Sequence, residues 1–316
     1  MRALHVPAAG AQPELGELPT PTAAEGTVLV RVKAAGRNPI DNGIAAGMMA
    51  GMIPHEYPLV LGRDAAGVVE AVGDGVDHVS VGAEVLGHVL LAPPIQAGTL
   101  AEYAVLPTAS VTAKPEGLDF VTAAALPLAG AAAAQTVAAV DAQAGQTVLV
   151  NGAGGGVGSF AVQLLATRGV TVVATATAES ADRLRELGAH TVIDRTAGPV
   201  VDQVRAAHPD GVDALVNLAP GYSPDEVPLG AVRRGGKLAS LTAVPDEQTL
   251  AAAEVTGTQV MAAATRDVVA PLAEQAAAGD LKVSVASVVP LSQATEALGT
   301  IAAGNANGKI VVDLDA

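Results

Sequence analysis

Apolar and polar positions alternate in two different ways along the chain, and the change falls near residue 145. From there on, short runs of β-branched and aliphatic residues alternate with stretches whose apolar positions recur at helical spacing. The run TVLV at 147–150 precedes apolar residues at i, i+4, i+7 and i+8, namely Val157, Ala161, Leu164 and Leu165. The further strand-like runs are VTVVAT (170–175), TVI (191–193), DALVNL (213–218), GKLASL (236–241) and TQVMAA (258–263). Strands that alternate with helices predict an α/β domain with a doubly wound parallel sheet.

The first hundred or so residues contain strand-like runs separated by Gly and Pro, with few helical periods. GTVLVRVKAAG, LVLGRDAAGVVEAVG, VGAEVLGHVLL and GTLAEYAVLP are examples, and they predict a β-rich domain of barrel or sandwich type. The run GKIVVDL at 308–314 is also strand-like and can return to that domain. Residues 120–140 carry no charge, but the segment is mostly Ala and Pro127 interrupts it. We therefore expect a buried helix there rather than a membrane span.

Composition narrows the class of protein. The chain has 316 residues, enough for two domains that each bury a core, and it has no cysteine. Disulfides, thiolate nucleophiles and cysteine-ligated zinc are thereby excluded. The formal net charge of −15 disfavours binding to nucleic acid or to an anionic membrane surface. The start, MRALHVPAAG, lacks the apolar segment of a signal peptide, so we expect a cytoplasmic protein.

A glycine-rich loop follows the strand TVLV and opens the next predicted helix. Gly152, Gly155 and Gly158 form G-x-x-G-x-x-G, one residue longer at its first step than the usual dinucleotide fingerprint. The amides of the first helical turn lack partners within the helix, and the helix dipole favours an anion there. The loop therefore predicts a site for the diphosphate of a dinucleotide. Its candidate residues are Gly152, Ala153, Gly155, Gly156, Val157 and Gly158.

The choice of coenzyme is made at the end of the second strand of this domain, where an NAD site usually offers a carboxylate to the ribose. This chain offers Thr175, followed by Ala176 and Thr177. The two threonine hydroxyls are candidate donors to a 2′-phosphate, and Arg195, after the third strand, is a candidate cation. Glu179 is the one nearby residue that argues against this. The pattern favours NADPH.

The whole chain resembles the medium-chain dehydrogenase/reductase superfamily, and most closely its zinc-independent, NADPH-dependent quinone oxidoreductase branch. The matching segments, in order, are GRDAAGVVEAVGDGVDHVSVGAEVLG, GTLAEYAVLP, AAALPLAG, NGAGGGVGSFAVQLL and GKIVV. The resemblance implies a GroES-like catalytic domain, formed by 1–117 and 265–316, and a Rossmann domain at 118–264. It also implies that coenzyme and substrate bind in the cleft between domains, and that two copies dimerise through the last Rossmann strand, about 258–263.

The zinc-dependent branches of that superfamily carry Gly-His-Glu where this chain reads Gly62-Arg63-Asp64. Without that motif and without cysteine we expect no metal, and the neighbouring pair His55 and Glu56 does not make a ligand set. Without a metal, hydride transfer to an electrophilic acceptor, a quinone or an activated C=C bond, is favoured over oxidation of an unactivated alcohol.

The resemblance also implies individual site residues. In GRNPIDNG, Asn38 is expected to contact the nicotinamide or the substrate, and the weaker candidate Asn42 can equally be a turn residue. Tyr57 either donates a proton or packs, while Asp64 is expected to anchor the structure beside an arginine. The remaining coenzyme candidates lie at strand ends and in the segment NANGKI: Asn217, Ala219, Leu241, Thr242, Asn307 and Lys309.

Three hypotheses remain open from the sequence. The first is an NADPH:quinone oxidoreductase, and the second is an enoyl or alkenal reductase that acts on an α,β-unsaturated carbonyl. Both use every motif named above. The third is a protein that binds NADPH without catalysis, which the shortage of protic side chains in the presumed substrate site allows. The substrate itself is not encoded in any motif.

Overall fold

The structure, a computed structural model, describes residues 1–219, 221, 223–302 and 307–316. The chain forms two compact units, one of Met1–Ala131 with Ala263–Ala316 and the other of Ala132–Ala262. We call them unit 1 and unit 2. The domain bounds expected from the sequence, 118 and 264, stay a prediction.

Unit 1 contains the β-rich part of the chain. Its strands are β1 Arg2–Val6, β2 Glu14–Glu17, β3 Thr27–Gly36, β4 Leu59–Val60, β5 Asp64–Val72, β6 Glu84–His88, β7 Tyr103–Pro107, β8 Val111–Ala113, β15 Val285–Pro290 and β16 Lys309–Asp313. Its helices are α1 Pro39–Ala45, α2 Phe120–Ala124, α8 Arg266–Ala278 and α9 Ala294–Ala302. The helix α3, Pro127–Val140, begins in this unit and continues into the other.

The larger sheet of unit 1 has the order β15-β16-β3-β5-β6-β8, with β7 also paired to β3. A smaller sheet has the order β2-β1-β4. The last strand, β16, pairs antiparallel with β3, so the expected return of GKIVVDL to the first domain is confirmed. Leucines such as Leu4, Leu59 and Leu100 fill the core between these strands.

Unit 2 holds the predicted parallel sheet. Its strands are β9 Thr147–Asn151, β10 Thr171–Ala176, β11 Thr191–Asp194, β12 Val212–Asn217, β13 Val232–Ser240 and β14 Thr256–Gln259, and its helices are α4 Gly156–Ala166, α5 Ala181–Glu186, α6 Val200–Ala207 and α7 Glu247–Ala253. The order is β11-β10-β9-β12-β13-β14, and every pair is parallel. The strand order reverses between β9 and β12, which is where ligands bind in such sheets. The predicted combination of a β-rich unit with a doubly wound parallel sheet is confirmed.

Two local expectations are corrected. The uncharged segment 120–140 is not one helix but two, α2 and α3, because the chain breaks at Ala125 and Leu126 before Pro127. The last strand of unit 2, expected at 258–263, is shorter and ends at Gln259. In the part of the chain that the structure describes, no helix is both long enough and apolar enough to span a membrane.

Candidate functional site

The glycine loop makes a tight turn directly after β9. Gly152 has φ +83°, in the left-handed region, and a Cβ on it would lie 2.7 Å from the amide nitrogen of Ala219. Gly158, in the first turn of α4, packs even closer: its Cβ would lie 2.4 Å from the carbonyl oxygen of Gly152 and 2.5 Å from the Cα of Ala153. The two outer glycines are therefore needed for the loop to close.

The middle glycine is in a different situation. Gly155 has φ −79°, and the nearest atom to a Cβ there, the carbonyl oxygen of Gly152, would be 3.6 Å away. Nothing in the packing requires a glycine at this position. Open space beside the backbone is what the close approach of a ligand needs, which agrees with the role that the fingerprint assigns to a middle glycine.

Some backbone amides of the loop donate hydrogen bonds to the protein, and others precede the first hydrogen bond of the helix. Gly152 N–H donates to the hydroxyl of Thr175 at 2.9 Å, and Ala153 N–H donates to the carbonyl of Thr175 at 3.1 Å. The helical bonds of α4 begin with Ser159 N–H to the Gly155 carbonyl at 3.1 Å. The amides of Gly156, Val157 and Gly158 thus precede the first helical bond and lie at the positive end of the helix dipole. These three amides are therefore available to a bound anion, and their role in binding one stays a prediction.

A chain of hydrogen bonds joins the carboxyl ends of four strands in unit 2. We call it the strand-end network: Asn151, Thr175, Asn217, Ser240 and Thr242. Thr175 Oγ1 donates to Asn151 Oδ1 at 2.9 Å, and Asn151 Nδ2 donates to Asn217 Oδ1 at 2.9 Å, across the point where the strand order reverses. Asn217 Nδ2 then donates to Ser240 Oγ at 3.0 Å and to Thr242 Oγ1 at 3.3 Å.

The network brings together most of the candidates that the sequence places at strand ends. The amide of Leu241 donates to the carbonyl of Asn217 at 3.2 Å, and Thr242 Oγ1 donates to the carbonyl of Ala219 at 3.4 Å. Asn217, Ala219, Leu241 and Thr242 therefore form one fixed edge beside the glycine loop. Asn151 and Ser240 were missed by the sequence argument, although Asn151 directly precedes the glycine loop and could have been noticed there.

The hydroxyl of Thr175 is already hydrogen-bonded within the protein. Its side chain is buried and its only hydroxyl hydrogen is donated to Asn151, while the same oxygen accepts from Gly152. The hydroxyl therefore fixes the glycine loop, and donation to a 2′-phosphate would break the bond to Asn151. The hydroxyl of Thr177, in contrast, is buried without a hydrogen-bond partner among the described residues.

Two arginines lie near the end of β10. Arg195 is exposed, and its amide donates to the carbonyl of Ala176 at 3.0 Å, which places it beside the strand end. Arg183, on α5, is half-buried; its Nη2 donates to the carbonyl of Gly154 at 2.9 Å, and its Nη1 is buried with no partner among the described residues. Burial lowers the pKa of Arg183. The sequence argument missed this residue, since an arginine in a surface helix carries no signal of such a contact.

Unit 1 contains a second polar site, which is charged and almost fully buried. We call it the charged cluster: Arg37, Asp41, Arg63, Asp64 and Lys309. Arg37 Nη1 donates to Asp41 Oδ2 at 2.8 Å, and the Nζ of Lys309 lies 3.6 Å from Asp64 Oδ2. Each of the five residues is at most 5% exposed.

Asn38, the first predicted catalytic residue, bridges this cluster just before α1. Its Nδ2 donates to Asp64 Oδ2 at 2.8 Å, and its Oδ1 accepts from Lys309 Nζ at 2.6 Å. Lys309 Nζ also donates to the carbonyl of Arg37 at 2.8 Å. The ammonium group of Lys309 thus has protein partners on several sides, and a contact from it to a coenzyme stays a prediction. Asn42 accepts from Arg37 at 2.8 Å.

Asp64 anchors the cluster, as expected, but its partners are His88 and Lys309 rather than an arginine. His88 Nδ1 lies 2.7 Å from Asp64 Oδ1 and donates to it, and the amide of Leu128 donates to the same oxygen at 3.2 Å. Burial alone would raise the pKa of Asp64, but the hydrogen bond from His88 and the charge of Lys309 outweigh it and hold that pKa below its ordinary value.

The other charged groups respond mainly to burial. Burial raises the pKa of Asp41 against the opposing charge of Arg37, and it lowers the pKa of Lys309 against the charge of Asp64. Burial also lowers the pKa of Arg37 and of Arg63. These shifts mark the cluster as a region where charge is poorly solvated.

The remaining candidates lie at the edges of unit 1. Tyr57 is half-buried against the core, with its ring edge-on to His55 at a centroid distance of 6.4 Å. Asn307 is exposed and lies two residues before β16. Among the described residues, no group of three or more His, Cys, Asp or Glu side chains could hold a metal ion.

Comparison with known proteins agrees with both units. The profile of the alcohol dehydrogenase GroES-like domain matches residues 24–116, and that of the zinc-binding dehydrogenase family matches residues 187–312. An NADPH-dependent alkenal/one oxidoreductase of Arabidopsis thaliana chloroplasts is 32% identical over 92% of this chain and 73% of its own length.

Two further proteins are similar along nearly their full length. The chloroplast envelope quinone oxidoreductase homolog of Arabidopsis thaliana is 30% identical over 94% of this chain and 92% of its own length. A mycobacterial protein whose structure was solved in complex with NADPH superposes with a TM-score of 0.86, at 28% identity, over 99% of this chain and 100% of its own. The chain therefore belongs to the medium-chain dehydrogenase/reductase superfamily, in its quinone oxidoreductase-like branch.

Proposed function

We propose that this protein is an NADPH-dependent reductase that transfers a hydride to a quinone or to an α,β-unsaturated carbonyl compound. The observation that carries the proposal is the glycine loop of unit 2. Thr175 of the strand-end network fixes this loop at Gly152, and the amides of Gly156, Val157 and Gly158 precede its first helical hydrogen bond. The relatives named above, an alkenal/one oxidoreductase and a quinone oxidoreductase homolog, support the same reaction class.

The residues of unit 2 fit a dinucleotide. The loop amides suit the diphosphate, and the space beside Gly155 lets it approach the backbone. β10 itself ends at Ala176 without a carboxylate that would bind the ribose 2′-hydroxyl of NAD, although Asp194 of β11 pairs with Ala176. We assign the recognition of that phosphate to Arg195, Arg183 and the hydroxyl of Thr177. When bound, NADPH supplies the hydride equivalent for the reduction.

We propose further that the reaction needs no metal. The chain has no cysteine, and Arg63 stands at the place where zinc-dependent relatives carry a histidine. Without a metal, the acceptor must already be electrophilic, and the protein contributes position and hydrogen bonds to the developing charge. Asn38 and Tyr57 are the proposed catalytic contacts in unit 1, with Asn307 and Lys309 as proposed coenzyme contacts.

The test has two stages. Fluorescence titration of the purified protein with NADPH and NADH is expected to give clear saturation with NADPH and weaker binding of NADH. An acceptor screen then compares quinones, enones and enoyl thioesters by the oxidation of NADPH. Quinone turnover favours the first hypothesis, and turnover of enones or enoyl thioesters alone favours the alternative. Saturable NADPH binding with no turnover on any acceptor would favour the protein that only binds coenzyme.

We also propose a homodimer in the cytoplasm. The strand β14 lies at an edge of the parallel sheet, and Met261, two residues beyond it, is 80% exposed. An exposed edge strand next to an exposed methionine is a surface that a second copy can cover. Light scattering is expected to give twice the mass of one chain, and a single-chain mass at micromolar concentration contradicts the dimer.

A further inference from the structure

Arg63 is the most unusual side chain of unit 1. It follows Gly62 and directly precedes β5, and it is only 1% exposed. Its Nε and Nη2 atoms are buried, and neither has a hydrogen-bond partner among the described residues. Almost all buried polar groups in proteins are hydrogen-bonded, because an unpaired buried donor is costly, and a charged one more so. A buried guanidinium with free donors therefore requires an explanation.

The charges around Arg63 do not balance. The charged cluster contains three cations, Arg37, Arg63 and Lys309, and two carboxylates, Asp41 and Asp64. Asp41 is hydrogen-bonded to Arg37 at 2.8 Å, and Asp64 is bound by His88 and lies near Lys309. Arg63 is left with only the longer-range attraction of Asp41, whose second oxygen, Oδ1, also has no hydrogen bond. By formal charge, the cluster thus has one cation more than it has carboxylates.

Arg63 is also one of the residues that border a cavity. Arg63 lines a cavity of about 250 Å³ whose other walls are mainly apolar, among them Val89, Leu90, Pro94 and Ile95. Sites for small molecules are typically apolar with a few converging polar groups. A single guanidinium in such walls selects a small ligand with an apolar skeleton and one oxygen that carries negative charge.

The side chain of His55 is a second polar group whose pKa is affected by the charge of Arg63. Both ring nitrogens of His55 are buried without a partner among the described residues. Burial lowers the pKa of His55, and the charge of Arg63 lowers it further, so both favour the neutral imidazole. The environment of His55 therefore opposes a second cation beside Arg63.

We infer that Arg63 binds the carbonyl oxygen of the acceptor and stabilises the negative charge that builds up there during reduction. The inference rests on the proposed function. The acceptor gains a hydride, with its electron pair, at the β carbon of the C=C bond, and the coenzyme is oxidised to NADP⁺. The π electrons of that bond shift toward the oxygen, which becomes an enolate held by Arg63. A proton from water then adds at the α carbon and restores the carbonyl group.

The first test uses the protein without coenzyme and 4-nitrophenol as the probe. Its ionised form, the phenolate, resembles the enolate and is distinguished from the neutral phenol by its yellow absorption. The wild-type protein is expected to bind the phenolate about tenfold or more tighter than the phenol, as an opposite charge nearby favours ionisation by roughly one to three pKa units. Equal binding of the two forms by the wild-type protein overturns the inference without any variant.

The second test uses variants. Arg63→Met is expected to lose the preference for phenolate and to lower kcat/KM for the acceptor by about 100- to 1,000-fold, the usual effect of removing one donor to an oxyanion. Arg63→Lys keeps the charge and is expected to retain part of both. Arg31→Met is the control, since Arg31 pairs with Glu70 on the surface of the same sheet at 3.4 Å. Affinity for NADPH and the unfolding transition show whether each variant is folded.

The outcomes separate this inference from the proposed function. If the wild type reduces acceptors and Arg63→Met, correctly folded, does so with unchanged kcat/KM, the role of Arg63 is wrong and the proposed function stands. If the wild type binds phenolate through Arg63 but reduces no quinone, enone or enoyl thioester, the anion site is supported and the proposed function is wrong.

Discussion

The two buried polar sites of this protein are built in opposite ways. The strand-end network of unit 2 consists of neutral amides and hydroxyls, and its Asn and Thr side chains are joined by hydrogen bonds of 2.9–3.3 Å. The charged cluster of unit 1 buries five ionisable side chains, and the Nε and Nη2 of one guanidinium have no acceptor among the described residues. A neutral network fixes the backbone without the desolvation cost of burying charges. A cluster of buried charges has that cost but creates an electrostatic field within the site.

This difference matches the two tasks that we assign. A dinucleotide is held mostly by backbone amides, so unit 2 needs a rigid loop and few charges of its own. An acceptor that becomes negative only during the reaction needs a charge fixed in advance in a poorly solvated place, as in unit 1. We therefore expect two kinds of effect. Substituting a residue whose polar groups are paired within the protein should lower its stability, and substituting one with an unpartnered polar group should weaken ligand binding.

The largest effect is expected from Lys309→Met. Its ammonium group lies 3.6 Å from Asp64 Oδ2 and donates to Asn38, so its loss breaks the buried ion pair between Lys309 and Asp64. Breaking a buried ion pair typically costs about 3–5 kcal/mol in the free energy of unfolding. Urea unfolding followed by circular dichroism measures that loss.

Lys33→Met is the matched control. Lys33 Nζ lies 2.8 Å from Asp315, but Asp315 is 60% exposed, and a surface pair contributes about 0–1 kcal/mol. Equal losses in the two variants would contradict the electrostatic account of the charged cluster. If Lys309→Met folds and binds NADPH as the wild type does, the predicted coenzyme contact of Lys309 is excluded.

The next effect concerns coenzyme choice. Arg183→Gln removes the buried, unpartnered Nη1 beside the glycine loop, which we assign to the 2′-phosphate. A hydrogen bond to a charged group contributes about 1.5–3 kcal/mol, so NADPH affinity should fall about 10- to 100-fold while NADH affinity stays the same. Fluorescence titration with both coenzymes measures the two affinities.

Two other variants complete the comparison. Arg185, on the same helix, is 54% exposed and pairs with Asp182, so Arg185→Gln should leave both affinities unchanged. Arg195→Ala should weaken NADPH binding less than Arg183→Gln does, because Arg195 is exposed and its charge is screened by water. A loss of NADH affinity equal to that of NADPH in Arg183→Gln would show that the arginine holds the loop and not the phosphate.

The sequence predicted the parts of the fold that depend on local pattern. The period of apolar residues identified the strands of unit 2, and the glycine spacing identified the loop, because both are properties of neighbouring residues. It could not pair Asn151 with Asn217, since they are 66 residues apart and meet only when the strand order is known.

Arg63 illustrates the same limit in unit 1. In the sequence it is a departure from the Gly-His-Glu motif of zinc-dependent relatives, and an arginine is expected at the surface. Only the pairing of β3, β5 and β6 buries it beside Asp41 and the cavity, and that pairing joins segments far apart in the chain. The sequence showed that Arg63 replaces the histidine, and the three-dimensional structure showed that this arginine is buried.

The smallest effects are expected from substituting two similar side chains, Thr175 and Thr177, which allow a direct comparison. Thr175 and Thr177 are two residues apart and looked equivalent in sequence, as donors to the 2′-phosphate. Thr175→Val removes the bonds to Gly152 and Asn151, and should cost about 1 kcal/mol in the free energy of unfolding. Thr177→Val removes a buried hydroxyl that has no partner among the described residues, so stability should be unchanged or slightly higher.

The selectivity for NADPH over NADH should depend on Thr177 and not on Thr175, the opposite of the order expected for stability. Since Thr177 keeps its hydroxyl free, Thr177→Val is expected to weaken NADPH binding by a few-fold without weakening NADH binding. Thr175→Val should weaken both coenzymes equally, because it loosens the loop that grips their common diphosphate. A selective loss of NADPH binding in Thr175→Val would instead mean that its hydroxyl leaves Asn151 and turns to the phosphate. The strand-end network would then be part of coenzyme recognition and not only its support.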